Sequence, residues 1–413
     1  MDNSNEQAPV TVISRTGFAY FPLALVARLP FAMVVIGVLT LIVSARGSVE
    51  LGGLNSAVVG LGVALCGPLI GAAADRFGQR PTLLITAAVN SVFLGLLAWI
   101  AISDVPVWAM FLASFLVGAT VPQISPMSRA RLVSIIQNDI PVSRRSRTLS
   151  STFAYESAAD EVIFVFGPVA VGLLATTLGA WAPVVGAAVL TLAFVTAFAL
   201  HPSGTKRQAA PGEAIATSPV NELWRPSLLV TVVGIFGVGM FFGSMFTSLT
   251  AFMQDRGEPE QAGLIYGVMG VGSAIFAIGI VWLSPRFTLR ARWLTFAALI
   301  LSGALFLQTA HDLPRMIAAL AVMGIGIGPL LVTLYSFGAH RTPAGRGATV
   351  MAMLGTSIMV GQSFTAAVTG IVAEQISTQA ALTLPLIAAA VAVSAGVANW
   401  FLTPAGPEPQ LAS

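Results

Sequence analysis

The chain has 413 residues, of which 56% are hydrophobic and only 9% are charged. Because soluble globular proteins carry about 25% charged residues, this composition excludes an ordinary soluble protein and indicates a chain that is solvated mainly by lipid. The formal net charge of +3 gives no sign of a nucleic-acid partner, and the only cysteine, Cys66, cannot form an intrachain disulfide.

Apolar segments recur twelve times along the chain and are separated by short polar loops. Since a helix of about 20 apolar residues crosses the hydrocarbon layer of a bilayer, we predict an all-α integral membrane protein with twelve transmembrane helices in two six-helix bundles. The predicted spans, numbered one to twelve, are 18–45, 54–74, 82–102, 107–128, 149–176, 181–201, 226–253, 261–283, 293–310, 314–337, 347–373 and 379–402.

The two halves are predicted from a linker and from a weak internal repeat. Residues 202–225 form the longest polar interruption and are rich in Pro, Gly, Ala and Ser, which is typical of a surface linker. We therefore expect one bundle in residues 1–201 and the other, with a short tail, in 226–413. Superposing Arg147 on Arg346 overlays span five on span eleven, which indicates a repeat of six spans.

The distribution of basic residues predicts the orientation. Sixteen Arg and Lys residues lie in segments on the side of the termini, whereas the opposite loops hold only Arg46, Arg256 and Arg315. Because cytoplasmic loops carry the excess of Lys and Arg, both termini and the linker are expected in the cytoplasm. Nineteen of the twenty basic residues are arginine, which suggests a GC-rich bacterial genome and hence the bacterial inner membrane.

Span five carries three carboxylates, Glu156, Asp160 and Glu161. Each ionised acid at mid-membrane costs roughly 3 kcal/mol, so the acids are expected to be paired, protonated or exposed to a watery cavity. Glu156 and Asp160 are four residues apart and share one helix face. Gly167-Pro168 follows and is predicted to bend the helix beyond the acids, because proline removes a backbone donor.

The loop between spans two and three resembles a motif of the major facilitator superfamily. Its pattern, G-x-x-x-D-R-x-G-x-R, is met by Gly71, Asp75, Arg76, Gly78 and Arg80. With twelve spans, a central linker and the repeat, the whole chain resembles that superfamily's bacterial drug and sugar efflux permeases. The resemblance implies that the loop is a conformational latch near the start of span eleven; the alternative is that its charges only solvate a loop.

Other features of that family are only partly present. Gly167-Pro168 resembles the Gly-Pro motif of its exporters. The arginine that the family carries in span four is absent, since Ser114 stands four residues before Gly118. Span four is instead predicted to break at Pro122 and Pro126, before a basic exit.

Arg28 is the natural replacement for the absent arginine. Arg28 and Asp160 each lie about ten residues into their spans, roughly 15 Å deep, and the resemblance makes spans one and five neighbours. We therefore expect Arg28 to pair with Asp160 or Glu161. This pair either titrates during transport or is a structural ion pair.

The resemblance also implies a central substrate cavity. Met and Phe side chains of span seven offer an adaptable apolar wall, although packing or lipid contact explains such residues equally. The few hydrogen-bonding groups favour an amphiphile over a sugar. The predicted cavity residues are Gln123, Tyr155, Met240, Phe241, Met245, Tyr335 and Gln362.

These features predict a secondary transporter rather than an enzyme, most simply a proton-coupled exporter of a small lipophilic or amphiphilic molecule. The alternatives are a sugar or metabolite transporter, a lipid flippase and a transport-dead sensor. No cofactor is expected, because a Walker lysine is absent and the three histidines lie in separate loops, which also speaks against a metal site. The expected partners are the substrate, protons and the lipid bilayer, and the protein is expected to be a monomer.

Overall fold

The structure is a computed structural model that describes residues 11–205, 218–284, 286–343 and 346–403. These residues form helices and no strands. The α-helices are α1 Val12–Thr16, α2 Tyr20–Val26, α3 Leu29–Arg46, α4 Val49–Phe77, α5 Gln79–Ala101, α6 Val107–Thr120, α7 Ile124–Asp139, α8 Val142–Leu178, α9 Ala182–Leu190, α10 Thr196–Leu200, α11 Pro226–Gln254, α12 Ala262–Gly279, α13 Leu289–Leu307, α14 Leu313–His340, α15 Gly347–Gln375, α16 Thr378–Ala381 and α17 Leu384–Leu402, with a π-helix at Thr191–Val195 and 3-10 turns at Pro202–Thr205, Val220–Trp224, Pro259–Gln261 and Ile280–Trp282.

The twelve-span prediction is confirmed. Within the described residues, eleven helices are long and apolar enough to cross a membrane, and Val162–Leu178 of α8 supplies a shorter apolar segment at the place of span five. Spans one, four, six and twelve are each built from more than one helical segment. In chain order the spans are α2–α3, α4, α5, α6–α7, α8, α9–α10, α11, α12, α13, α14, α15 and α16–α17.

The second part of span four differs from the prediction. The helix does break at residues 121–123, but it restarts as α7 and continues to Asp139, beyond the predicted end at residue 128. The reason is that Pro126 lies in the first turn of α7, where a missing N–H leaves no helix hydrogen bond unmade. Arg129 and Arg131 therefore project from a helix and not from an exit loop.

Three of the six spans in the first half (spans one to six) are interrupted, and the three interruptions lie close together. Span one breaks between α2 and α3, span four breaks between α6 and α7, and span six contains the π-helix Thr191–Val195. Pro30, Pro122 and Thr191, which lie in or next to these three interruptions, border a common small pocket. Two residues of the charged network described below lie at or just after these breaks: Arg28 between α2 and α3, and Arg129 in α7.

The halves touch mainly along two pairs of helices, α4 with α15 and α8 with α12. Gly172 of α8 lies directly on the backbone of Gly263 and Leu264 of α12, so a Cβ at Gly172 would collide with that backbone. The contact therefore requires glycine, because only glycine lets two backbones approach so closely.

Hydrogen bonds between the halves close one end of the molecule, formed by the loops after spans one, seven and eleven. We call it the closed end. It lies opposite residues 11 and 403, since the chain crosses twelve times. The contacts are Gln254 Nε2 to the Gly47 carbonyl (2.6 Å), Ser48 Oγ to Glu374 Oε2 (2.5 Å), Gln375 Nε2 to Glu50 Oε2 (3.1 Å), and Ser44 Oγ to Glu260 Oε1.

Candidate functional site

Two arginines and two carboxylates form a network inside the first half. Arg28 Nη2 lies 2.5 Å from Glu156 Oε2, and Arg129 Nη2 lies 2.5 Å from Asp160 Oδ2. Two longer contacts cross-link the pairs: Arg28 Nη1 to Asp160 Oδ1 at 3.5 Å, and Arg129 Nε to Glu156 Oε2 at 4.0 Å. We call these four residues the ion cluster; their formal charges sum to zero.

Hydroxyl groups complete the ion cluster. Ser125 Oγ donates to Asp160 Oδ1 at 2.6 Å, and Ser128 Oγ donates to Glu156 Oε1 at 3.0 Å. Tyr20 lies behind Ser128, with its hydroxyl 2.8 Å from Ser128 Oγ. Because the single hydroxyl proton of Ser128 is given to the carboxylate, Tyr20 must donate to Ser128. Glu156 is thus held by a charged donor on one side and a chain of two hydroxyls on the other.

The two acids differ in their access to solvent. The side chains of Arg28 and Glu156 are 3% and 0% exposed, whereas those of Arg129 and Asp160 are 20% and 22% exposed. Asp160 is therefore the partly accessible acid of the ion cluster, and Glu156 is the enclosed one.

The structure brings Arg28 to the face of span five that sequence analysis selected. Arg28 contacts Asp160, as expected, but its shortest contact is with Glu156, one turn closer to residue 142. The break between α2 and α3 at Arg28 accounts for this, because ideal-helix depth counting does not hold across an interruption. The Glu161 side chain lies outside the described part of the chain.

Sequence analysis missed Arg129, Ser125 and Ser128, because it assigned Arg129 to a loop. A signal was present: residues 125, 128 and 129 have the i, i+3, i+4 spacing of one helix face. That face becomes visible once Pro126 is accepted in the first turn of a new helix. Tyr20 had no comparable signal, since its contact with Ser128 joins residues 108 positions apart.

A partly open cavity lies between the halves, with about 490 Å³ of empty space that includes open solvent. Its first-half wall is apolar and consists of Ile36, Phe164 and Pro168. Since Asp160 precedes Phe164 by one helical turn, the ion cluster begins about 6 Å along α8 from this wall. Both features therefore lie on the same helix, and a movement of α8 would change both.

The second-half wall mixes polar and apolar groups. Its polar members are Tyr266 and Ser273 of α12 and Gln362 of α15. The apolar members are Phe242, Met269, Gly270, Ile327 and Leu331.

The predicted cavity residues occupy several different places. Gln362 borders the cavity. Phe241 and Met245 are 1% and 0% exposed and pack in the protein core, where the neighbouring Phe242 is the span-seven residue that faces the cavity. Met240 is partly buried against the same core.

The remaining three predicted residues lie away from the cavity wall. Tyr335 packs against the core of the second half. Gln123 lies in the break of span four and donates to the Val121 carbonyl at 3.2 Å. Tyr155 is close to the ion cluster, and its hydroxyl is 3.4 Å from the Phe21 carbonyl.

Gly167, the glycine of the Gly-Pro motif in span five, makes close contacts. A Cβ at Gly167 would lie 2.7 Å from the Cβ of Ala32 and 3.1 Å from its carbonyl oxygen, so span five packs tightly on span one there. Pro168 lies inside α8 and borders the central cavity.

In the loop at residues 71–80, the buried side chain that bonds to a neighbouring helix is Gln79. Gly78 has φ of 95°, a conformation suited to glycine, and ends α4. Arg76 and Arg80 are exposed, while Gln79 accepts from Arg131 Nε at 3.2 Å and donates to the Met127 carbonyl at 3.2 Å. Nothing crowds Gly71.

The proposed partner of this loop, 345–347, is described only in part. The side chain of Asp75 lies outside the described residues, as does Gly345. Arg346 Nε donates to the Ser218 carbonyl at 2.6 Å.

Comparison with known proteins agrees with this architecture. The family model of the Major Facilitator Superfamily matches residues 18–352 and 259–413. The multidrug efflux pump Tap of Mycolicibacterium fortuitum is 22% identical over 279 residues, which are 63% of this chain and 66% of that protein. The chain thus spans somewhat less than two thirds of the length of this relative.

Solved structures share the fold at low sequence identity. A peptide transporter of the POT family in an auto-inhibited form has a TM-score of 0.65 at 15% identity and covers 93% of this chain and 96% of its own. The nucleoside transporter NupG has a TM-score of 0.63 at 16% identity, with 93% and 98% covered. The human organic anion transporter MFSD10 has a TM-score of 0.61 at 17% identity, with 94% and 99% covered.

The family match extends over nearly the whole chain, and twelve spans with a cavity between two halves fit it. This chain therefore belongs to the Major Facilitator Superfamily and is a multi-pass membrane protein.

Proposed function

We propose that this protein exports a small lipophilic or amphiphilic molecule in exchange for protons, by alternating access. The observation that carries the proposal is the ion cluster, which puts one water-accessible and one buried carboxylate between two arginines, beside a cavity between the halves. Intramembrane ionisable groups are costly and mark ion pathways by default.

Protonation of Asp160 is the first step of the proposed cycle. A neutral Asp160 no longer attracts Arg129, so Arg129 retains only its 4.0 Å contact with Glu156. Arg129 belongs to α7 and Arg28 lies at the start of α3, each just beyond a helix break. A change in pairing can therefore tilt these segments against α8 without disturbing the outer parts of spans one and four.

The second step is the exchange of access to the cavity. In the described structure the closed end is held by hydrogen bonds between the halves. From the cavity wall, α8 runs away from the closed end to the ion cluster. Rocking of the two bundles about the cavity would break the closed-end contacts and expose the cavity there. Tilting of α8, which carries both acids and Gly172, would couple the proton to that motion.

The multidrug efflux function of the Tap relative supports export as the direction. Because the two sequences are only 22% identical, the name of this relative does not identify the substrate of the present protein. The solved structures at 15–17% identity bear on the fold alone.

The decisive experiment measures protons and substrate together. Purified protein is reconstituted into liposomes that enclose a pH-sensitive dye, and a neutral dye (N-phenyl-1-naphthylamine) or a cationic one (ethidium) is added under an imposed pH gradient. Proton-driven accumulation of either dye, with matching proton release, is the expected result. Downhill movement without proton movement would contradict coupling.

Parallel assays separate the alternatives. Transport of a sugar but of neither dye would favour the metabolite transporter. Scrambling of a fluorescent phospholipid would favour the flippase, and absence of all fluxes in folded protein would favour the sensor.

The latch and the membrane location are proposed together. We propose that the protein lies in the bacterial inner membrane with both termini in the cytoplasm, and that Asp75 contacts the start of α15 in one of the two conformations. Asp75→Asn should then slow transport without lowering the amount of inserted protein. Unchanged turnover would mean that the loop serves only to end α4 and begin α5.

A further inference from the structure

Three polar side chains that line the central cavity have no hydrogen-bond partner among the described residues. Tyr266, Ser273 and Gln362 are 6%, 4% and 9% exposed and line the cavity, yet their side chains make no hydrogen bond to any described residue. A buried polar group without a partner costs free energy. Three such groups around one space indicate that a ligand or water completes them.

All three polar groups come from the second half. Tyr266 and Ser273 are seven residues apart and therefore share one face of α12, about 10 Å apart along its axis. Gln362 faces the same space from α15. The first half contributes only Ile36, Phe164 and Pro168, so the cavity has one polar and one apolar wall.

No charged side chain is among the described residues that line this cavity. The nearest described acids on α8 belong to the ion cluster, where Glu156 and Asp160 are each matched by an arginine. A cationic ligand would therefore lose its hydration without meeting an uncompensated negative charge, which is unfavourable.

We propose that this cavity binds an uncharged molecule whose hydrogen-bonding group lies against α12 and α15 and whose apolar body lies against Ile36, Phe164 and Pro168. The inference rests on the transport function proposed above and narrows its substrate class to neutral amphiphiles. It also assigns Tyr266, Ser273 and Gln362 as the residues that recognise the polar group. Proton and substrate then use separate sites that are joined by α8, and do not compete for one carboxylate.

Two probes of nearly the same shape test the charge preference. Triphenylphosphine oxide is neutral and presents one strong acceptor on three phenyl rings, whereas methyltriphenylphosphonium has the same rings and a permanent positive charge. Binding is measured by equilibrium dialysis against protein in lipid nanodiscs, with empty nanodiscs as the blank for lipid partitioning. The oxide is expected to bind at least about tenfold more tightly.

Removal of each donor tests the assigned residues. Gln362→Leu, Tyr266→Phe and Ser273→Ala remove a donor with little change in shape, and Gln362→Leu and Tyr266→Phe should each weaken oxide binding about three- to tenfold. Ser244→Ala is the matched control, because the Ser244 hydroxyl is bonded to the Met240 carbonyl at 2.8 Å and is not part of the cavity wall. Binding of the phosphonium should be unchanged in Gln362→Leu and Tyr266→Phe.

A gain of binding excludes misfolding as the explanation. Gln362→Glu places one negative charge in the cavity and should reverse the preference, so that the phosphonium binds more tightly than the oxide. Absence of oxide binding, equal binding of the two probes, or donor variants that bind the oxide normally would each overturn the inference. If the oxide binds as expected but no proton flux accompanies its transport, the binding site stands and the proposed coupling fails.

Discussion

Arg129 of α7 and Asp160 of α8 form a salt bridge in which Nη2 lies 2.5 Å from Oδ2, and this contact joins the segment after the break in span four to a helix that borders the central cavity. Each partner is about one-fifth exposed. The second pair, Arg28 and Glu156, is buried. One network thus contains a partly accessible ion pair and a buried one, and these two pairs should respond differently to substitution.

Asp160→Asn should abolish proton-driven accumulation while downhill exchange continues. The amide keeps the shape and the bond from Ser125 but cannot release a proton at physiological pH. Dye accumulation and proton flux in the liposome assay measure the effect. Asp104→Asn, at an exposed position, is the control and should behave as wild type. If Asp160→Asn and Glu156→Gln, singly and together, leave proton-driven transport intact, the coupling site lies elsewhere.

Arg28→Ala should destabilise the protein more than Arg129→Ala. Loss of Arg28 strands the fully buried carboxylate of Glu156, which costs about 3–5 kcal/mol, whereas Asp160 can be hydrated when Arg129 is lost. Thermal unfolding of the purified variants in detergent gives the order. The double variant Arg28→Met/Glu156→Leu should recover most of the loss, because it removes both charges together. Equal destabilisation by the two single variants would contradict the assignment of buried and accessible pairs.

Gly172→Val should weaken the closed end. A side chain at this position collides with the backbone of Gly263 and Leu264, so the conformation in which the halves touch there is penalised. A cysteine introduced as Phe242→Cys in a Cys66→Ser background reports access to the cavity. Its labelling from the side of the closed end should increase. Gly95→Val, at a position with open space around it, should leave labelling unchanged.

His201 predicts a pH dependence of stability. Burial, and secondarily the charge of Arg131, lower the pKa of His201 below its ordinary value. The folded state therefore holds fewer protons than the unfolded state as the pH falls through about 6.5, the unperturbed value. Stability should be complete above that pH and decrease below it. The melting temperature of His201→Asn should fall less between pH 8 and 5 than that of wild type or of His311→Asn, and identical profiles would contradict the argument.

The orientation can be tested at two exposed positions on opposite ends of the molecule. With a Cys66→Ser background, Glu258→Cys lies at the closed end and Asn221→Cys lies in the turn before α11. Impermeant maleimide should label the first in intact cells and the second only after the membrane is opened. Labelling of Asn221→Cys in intact cells would reverse the orientation.

The sequence alone determined the number and the approximate limits of the spans. Burial in lipid demands about twenty consecutive apolar residues with internally satisfied backbone groups, and this demand is local, so it can be read from composition. For the same reason the three acids of span five stood out, because an ionisable group in an apolar run is anomalous wherever its partner lies. The candidate ion pair of spans one and five followed from the depth of Arg28 and Asp160 together with the family resemblance, which makes these two spans neighbours.

Only the tertiary structure decided which groups complete the site. Arg129 joined the ion cluster because α7 restarts after a break and turns one face toward α8, and this depends on packing between helices. The cavity wall was decided in the same way: Phe242 faces the cavity while Phe241 and Met245 enter the core, since neighbouring positions on a helix point about 100° apart. Tyr266 carries no sequence signal, because a tyrosine in an apolar helix can equally pack its ring in the core. Ser273 carries none, because a serine hydroxyl in an apolar helix commonly bonds to its own backbone. Whether it does so or faces a cavity depends on the rotation of that helix against its neighbours.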